Sequence, residues 1–175
     1  MNKNQITTLT KQNQKDLGDF LNVKNPDFWT THPEGKWTAG QHVIHLVQSN
    51  KPLLRALKLP SFVLKWRFGD CNRDPRSYDA VVQRYKEKLS SVGQGVLSPF
   101  SAKMPDSPAS DAQKWRKELE KLTDQINSTT TKLNDKNMDQ LLLPHPLMGK
   151  MTLREILMWN AYHTEHHLQI LKEKY

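Results

Sequence analysis

The stretch TLREILMWNAYHTEHHLQIL, Thr152 to Leu171, decides the reading of this chain. Thr152 followed three residues later by Glu155 is a capping box: the hydroxyl accepts a hydrogen bond from a free N–H of the first turn, and the carboxylate reaches back to the N–H of the cap. Behind it Ile156, Trp159, Asn160, His163, His167, Ile170 and Leu171 fall on one face at helical spacing. The spacing predicts a helix to about Lys172. His163 and His167 are four residues apart, so their rings stand one above the other on the inward face. A buried imidazole needs a hydrogen bond or a metal, and two so placed form a chelating clip. His166 is three residues from His163, also a chelating distance, but it turns out of the stripe and is expected to make a surface or supporting contact. Glu165 points away from the same face.

Working outward, the periodicity predicts three more long helices. Residues 4 to 22 carry Ile6, Leu9, Leu17, Phe20 and Leu21 on a loose stripe, and a loop over 25 to 36 follows. Thr38 with Gln41 is a second capping box and opens a helix from about Ala39 to Leu57. Pro52 falls within it and predicts either an end near Asn50 or a kink. Residues 111 to 134, with Trp115, Leu119, Leu122, Ile126 and Leu133, form the third. Between these lie a short apolar helix in Leu59 to Gly69, a turn, and a helix over Ser77 to Ser91. Two loops complete the reading, 92 to 110 with Pro99, Pro105 and Pro108, and 135 to 151 with Pro144, Pro146 and Gly149. No strand is predicted. Four long helices are enough to bury their own stripes, so the expected fold is an all-α four-helix bundle with extra short helices in a long central insertion.

Composition agrees. At 175 residues the chain has the size of one domain, 1–175, with its own core. Seven glycines are too few for a turn-rich all-β fold. One cysteine, Cys71, cannot form an internal disulfide, and no base is evident beside it to make it a nucleophile. The polar amino terminus lacks a signal-like apolar core, and no apolar run reaches the roughly 20 residues of a membrane helix. A cytoplasmic setting with no membrane partner is expected. The net charge is +8, with ten Lys/Arg against four Asp/Glu between Lys51 and Lys88. A solvated basic surface accounts for that excess, with a rim attracting an anionic small molecule next; nucleic acid ranks last, because no binding motif accompanies the charge.

A second histidine group lies in QHVIHL, with His42 and His45 three residues apart near an apolar face. A third ligand from a neighbouring helix would complete a three-histidine set. Three histidines plus an open position is a recurrent catalytic zinc arrangement, and nickel, manganese or iron also accept imidazole. The residues themselves leave His42 and His45 as alternatives.

The stretches WTAGQHVIHLVQS, Trp37 to Ser49, and HPLMGKMTLREILMWNAYHTEHHLQIL, His145 to Leu171, together resemble the DinB-like superfamily. That superfamily includes YfiT-type metal-dependent hydrolases and bacterial thiol transferases. The shared pattern is a tryptophan and a small residue before a helix with His-Leu, then His-Pro, Gly and a helix with His-x3-His. The resemblance implies a bundle of up-down-down-up order, a homodimer, and one divalent metal, zinc or nickel first and manganese or iron next. Its ligands would be His45, the histidine followed by Leu46, with His163 and His167. It implies a hydrolase or a low-molecular-weight-thiol transferase acting on a small molecule, anionic or thiol-containing. A metal-binding sensor or small-molecule binding protein without chemistry is the alternative. The segment Leu59 to Pro108 lies outside the quoted motifs.

Other residues carry weaker expectations. Asn160 and Gln48 lie close to the ligands in sequence and either close the core or orient a ligand. His145, between two prolines, docks a loop or faces substrate. Arg67, Arg73 and Arg76 are solvated charges or anion hooks. Trp37, Trp66 and Trp159 are read as core or dimer aromatics.

Overall fold

The computed structural model describes residues 1–92 and 103–175. In chain order the elements are α1 (Lys3–Asn22), α2 (Ala39–Leu57), α3 (Ser61–Phe68), α4 (Tyr78–Ser91), α5 (Ala112–Lys132), α6 (Asp135–Gln140), the strands β1 (Leu142–His145) and β2 (Gly149–Thr152), and α7 (Leu153–Lys174). Pro99, within the expected loop over 92 to 110, lies outside the described residues.

Side-chain amides and hydroxyls start three of the four long helices. Asn2 with Gln5, Thr38 with Gln41, and Thr152 with Glu155 each form a reciprocal capping box, opening α1, α2 and α7. Pro52 does not end α2, which runs on to Leu57. A proline there costs about 3 kcal/mol, but Leu53, Leu54 and Leu57 beyond it are buried in the core and hold the turn in place.

Packing sets the directions. α1 and α7 run side by side in the same sense, with Arg154 at the start of α7 donating to the carbonyl of Met1 and Asn13 donating to the Ala161 carbonyl at 2.9 Å. α5 runs against α1, pairing Arg116 with Asn22 and Thr123 with Gln14. α2 runs against α7, facing His42 to His167 and His45 to His163. The long helices therefore run up, down, down, up, as expected, and α2 packs between α5 and α7.

The region 135 to 151 is more ordered than its prolines suggest. It holds α6 and an antiparallel hairpin in which Leu142 pairs with Thr152 and His145 with Gly149. The expectation of no strand is corrected. Pro144 needs no ladder donor in a two-stranded ribbon, Gly149 takes a positive φ of 73°, and the Nδ1 atom of His145 accepts the N–H groups of Leu147 and Met148 at 3.1 Å each. The 25–36 loop likewise contains a 3-10 turn, Pro26–Thr30.

Trp66 is not a core residue: it is 84% exposed, and Phe62 on the same side of α3 is 73% exposed, while Leu64 is buried. No helix among the described residues is long and apolar enough to cross a membrane.

Candidate metal centre

The site lies where α2 and α7 cross. His45 comes from the middle of α2, and His163 and His167 from successive turns of α7. Their Nε2 atoms converge: His163 Nε2 is 3.1 Å from that of His45 and 3.1 Å from that of His167. The rings are 7%, 2% and 5% exposed, in the order His45, His163, His167. Burial holds them neutral. It pushes His45 down to about 4, helped by the positive field of His166, and holds His163 and His167 well below the ordinary histidine value, with the neighbouring imidazoles adding to it. At neutral pH each ring is therefore uncharged, the form in which imidazole ligates a metal.

The spacing fits one ion. Two nitrogens each about 2.0–2.1 Å from the same ion lie about 2.9 Å apart at a right angle and about 3.4 Å apart at the tetrahedral angle. The observed 3.1 Å falls between these limits. Without a cation the contacts are poorly served, because His163 Nε2 has one proton or one lone pair to offer two neighbours. Among the described residues no other His, Cys, Asp or Glu joins the group.

Aromatic rings wall the cluster. Trp159, one turn before His163, stacks on it at 4.5 Å with an interplanar angle of 23°. Trp37 lies over the other side, 5.0 Å from the ring of His45 and 6.5 Å from that of His167. Tyr85 of α4 sits edge-on to His163 and His166. The position of Gly40 explains the small residue after Trp37: a Cβ there would lie inside the indole of Trp29.

The chain matches a family model described as the DinB superfamily over residues 9–171. It belongs to the DinB superfamily. The match begins and ends on either side of the central segment 59–108. Over 101 residues the chain is 26% identical to YuaE of Bacillus subtilis strain 168, an uncharacterized protein. That alignment covers 56% of this chain and 62% of YuaE, so the chain spans about three fifths of that relative. Among solved structures it is similar to YfiT from Bacillus subtilis, described as a probable metal-dependent hydrolase with an unusual four-helix bundle topology. That likeness covers 98% of this chain and 84% of YfiT at 19% identity and a TM-score of 0.61, and it shows the shared fold.

Within this DinB fold the remaining expected residues sort by position. His166 stands outside the trio, half-buried against Tyr85 and Tyr162. His145 closes the hairpin turn through Nδ1, with its ring 4.2 Å from that of Trp159. Gln48 donates to the carbonyl of Lys103 at 3.2 Å, and Asn160 is buried in α7.

Arg73 and Arg76 stay partly exposed but are engaged by an intramolecular carboxylate. Both grip the chain's own Glu155, whose side chain is fully buried. Arg67 stays exposed, its guanidinium over Phe68. Cys71 donates weakly to the Arg73 carbonyl. Sequence reasoning singled out neither Tyr85 nor Tyr175. It set His42 aside, although His42 lies 2.8 Å from His167. The signal for His42 was present in its three-residue spacing from His45; for Tyr85 and Tyr175 there was none, because their contacts cross between helices.

Proposed function

We propose that His45, His163 and His167 bind one divalent metal ion through Nε2. In this reading the protein is a metal-dependent enzyme, a hydrolase or a low-molecular-weight-thiol transferase, acting on a small molecule. The observation that carries it is the convergence of three neutral imidazoles, with His163 Nε2 at 3.1 Å from Nε2 of both His45 and His167, and with no fourth protein donor of the His, Cys, Asp or Glu type among the described residues. A four-coordinate ion held so keeps at least one position for a non-protein ligand, the mark of a catalytic rather than a closed structural site. A divalent ion there supplies Lewis acidity and lowers the pKa of a water or thiol that it binds. The chain's own contribution is to hold the three rings by packing and to exclude bulk water with Trp37, Trp159 and Tyr85. The description of YfiT as a probable metal-dependent hydrolase supports the same class. Three imidazoles suit zinc or nickel first, then manganese or iron.

Metal analysis of purified protein tests the site. About one divalent ion per chain is expected, lost in His163→Ala and in His167→Ala and retained in His166→Ala. Metal retained when both His163 and His167 are replaced overturns the assignment. Screening ester and amide substrates against thiol-plus-electrophile pairs then separates the two reactions.

The near-complete burial of the rings favours a second reading, a metal-binding sensor without chemistry. Azide added to cobalt-loaded protein distinguishes them. A shifted visible spectrum reports a reachable open position and supports the enzyme; an unchanged one supports the sensor.

A further inference from the structure

Behind His167 a chain of hydrogen bonds leaves the ligand trio and ends on a backbone carbonyl. The hydroxyl of Tyr175 donates to the carbonyl of Trp37. A carbonyl accepts and never donates, so this bond uses the one proton the phenol has. The Tyr175 oxygen must then accept from Nε2 of His42, 3.0 Å away. That places the proton of His42 on Nε2 and leaves its Nδ1 as a lone pair, for the ring is buried and no carboxylate among the described residues pairs with it. Nδ1 of His42 lies 2.8 Å from Nδ1 of His167, so the proton between them sits on His167. His167 consequently carries its proton on Nδ1 and a bare lone pair on Nε2, the atom aimed at His163.

We infer that the Trp37 carbonyl, Tyr175 and His42 form a positioning chain that sets His167 in the metal-ready tautomer before any ion arrives. Its functional consequence rests on the metal-centre reading above; the tautomer itself is a property of the metal-free chain. His42 thus has a role after all, through the nitrogen of His167 that faces away from the trio. Partners of this kind behind a ligating histidine fix its ring and tautomer and raise its basicity. The three ligands are not supported alike. Nδ1 of His163 is buried without a hydrogen-bond partner, and the ring of His163 is held by the stacked Trp159 instead. Trp37 contributes twice, by its carbonyl as the fixed end of the chain and by its indole over the histidines.

The test is the histidine tautomer in metal-free, 15N-labelled full-length protein at neutral pH, read from two-bond proton–nitrogen correlations. His167 is identified by the signals lost in His167→Gln. The expected result is the Nδ1–H tautomer in the wild type, which is the minor form of free histidine in water. Tyr175→Phe removes a single oxygen and leaves the ring packing, and His42→Leu removes the acceptor; both should move His167 toward the Nε2–H form. Cobalt affinity should fall by roughly ten- to a hundredfold in the same variants. His42→Asn, which offers an oxygen where Nδ1 stood, should recover most of that loss, whereas a purely structural role would give no such rescue. An Nε2–H tautomer in the wild type overturns the chain, as does unchanged tautomer and affinity in both Tyr175→Phe and His42→Leu. If the wild type shows the Nδ1–H tautomer yet takes up no cobalt, the positioning chain stands and the metal-centre reading falls.

Discussion

Arg73 clasps the buried carboxylate of Glu155 with two hydrogen bonds of 2.6 and 2.9 Å, one to each oxygen. The backbone N–H and the guanidinium of Arg76 add bonds of 2.8 and 3.1 Å, and the N–H of Thr152 one of 3.2 Å. One side chain thus caps α7 and ties the segment before α4 to the helix that carries two of the three histidines. Glu155→Ala should cost about 3 kcal/mol. That is the low end for breaking a buried pair, because Arg73 and Arg76 stay partly hydrated. Urea unfolding measures it, and a loss below about 1 kcal/mol would show the cluster to be ornamental.

The same carboxylate contributes to acid sensitivity. Burial pushes the Glu155 carboxyl up, but the bonds from Arg73, Arg76 and Thr152 outweigh it and hold the group below its ordinary 4.5. Its contribution is full above that value and is lost as pH falls through the lower folded one. The buried histidines act earlier. His42, His45, His145 and His166 are pushed down to about 4 from 6.5, chiefly by burial. Between those values the unfolded chain takes up protons that the folded chain refuses, so stability falls as pH drops from 6.5 toward 4. The stability of metal-free protein should decline steadily across that window, by up to about 3 kcal/mol for each histidine so shifted, lowering the denaturation midpoint, and continue downward as Glu155 protonates. A midpoint that stays level from pH 7 to pH 4 contradicts this account.

Gly40→Ala sets two effects against each other. Alanine gains about 1 kcal/mol in helix propensity. Its methyl, however, would fall on the buried indole of Trp29, which must shift to make room. Overpacking of this kind costs about 1–3 kcal/mol, so net destabilisation is expected. Combining it with Trp29→Leu should recover part of the loss, a non-additivity that a double-mutant cycle reads directly. Strict additivity would place the strain elsewhere.

The two sides of α3 should respond differently. Leu64→Ala removes a buried side chain and should cost about 2–4 kcal/mol. Phe62→Ser and Trp66→Ser act on exposed rings and should stay within about 0.5 kcal/mol. Thermal unfolding of the three variants checks the contrast, and a large loss at Trp66 would mean that its ring packs in solution.

What the sequence determined by itself is local. Capping boxes at Thr38 and Thr152 announce their helices because cap and partner are three residues apart, and the His163–His167 pair is a consequence of helical pitch. The four apolar stripes made a bundle the expected fold for the same reason. The hairpin at 142–152 was less legible, since Pro144 and Pro146 break helices without revealing that the flanking segments pair. The tertiary structure decided what lies far apart in the chain. His42 and His45 share one helix with nearly equal claims as ligands by spacing. The antiparallel docking of α2 on α7 points His45 Nε2 at His163 and His42 at the back of His167. Likewise Arg73 and Arg76 read as surface charges until the fold brings them to Glu155, 82 and 79 positions away in sequence. A hydrogen bond is made over about 3 Å, a range within which helical period controls neighbours a turn apart and only packing controls the rest.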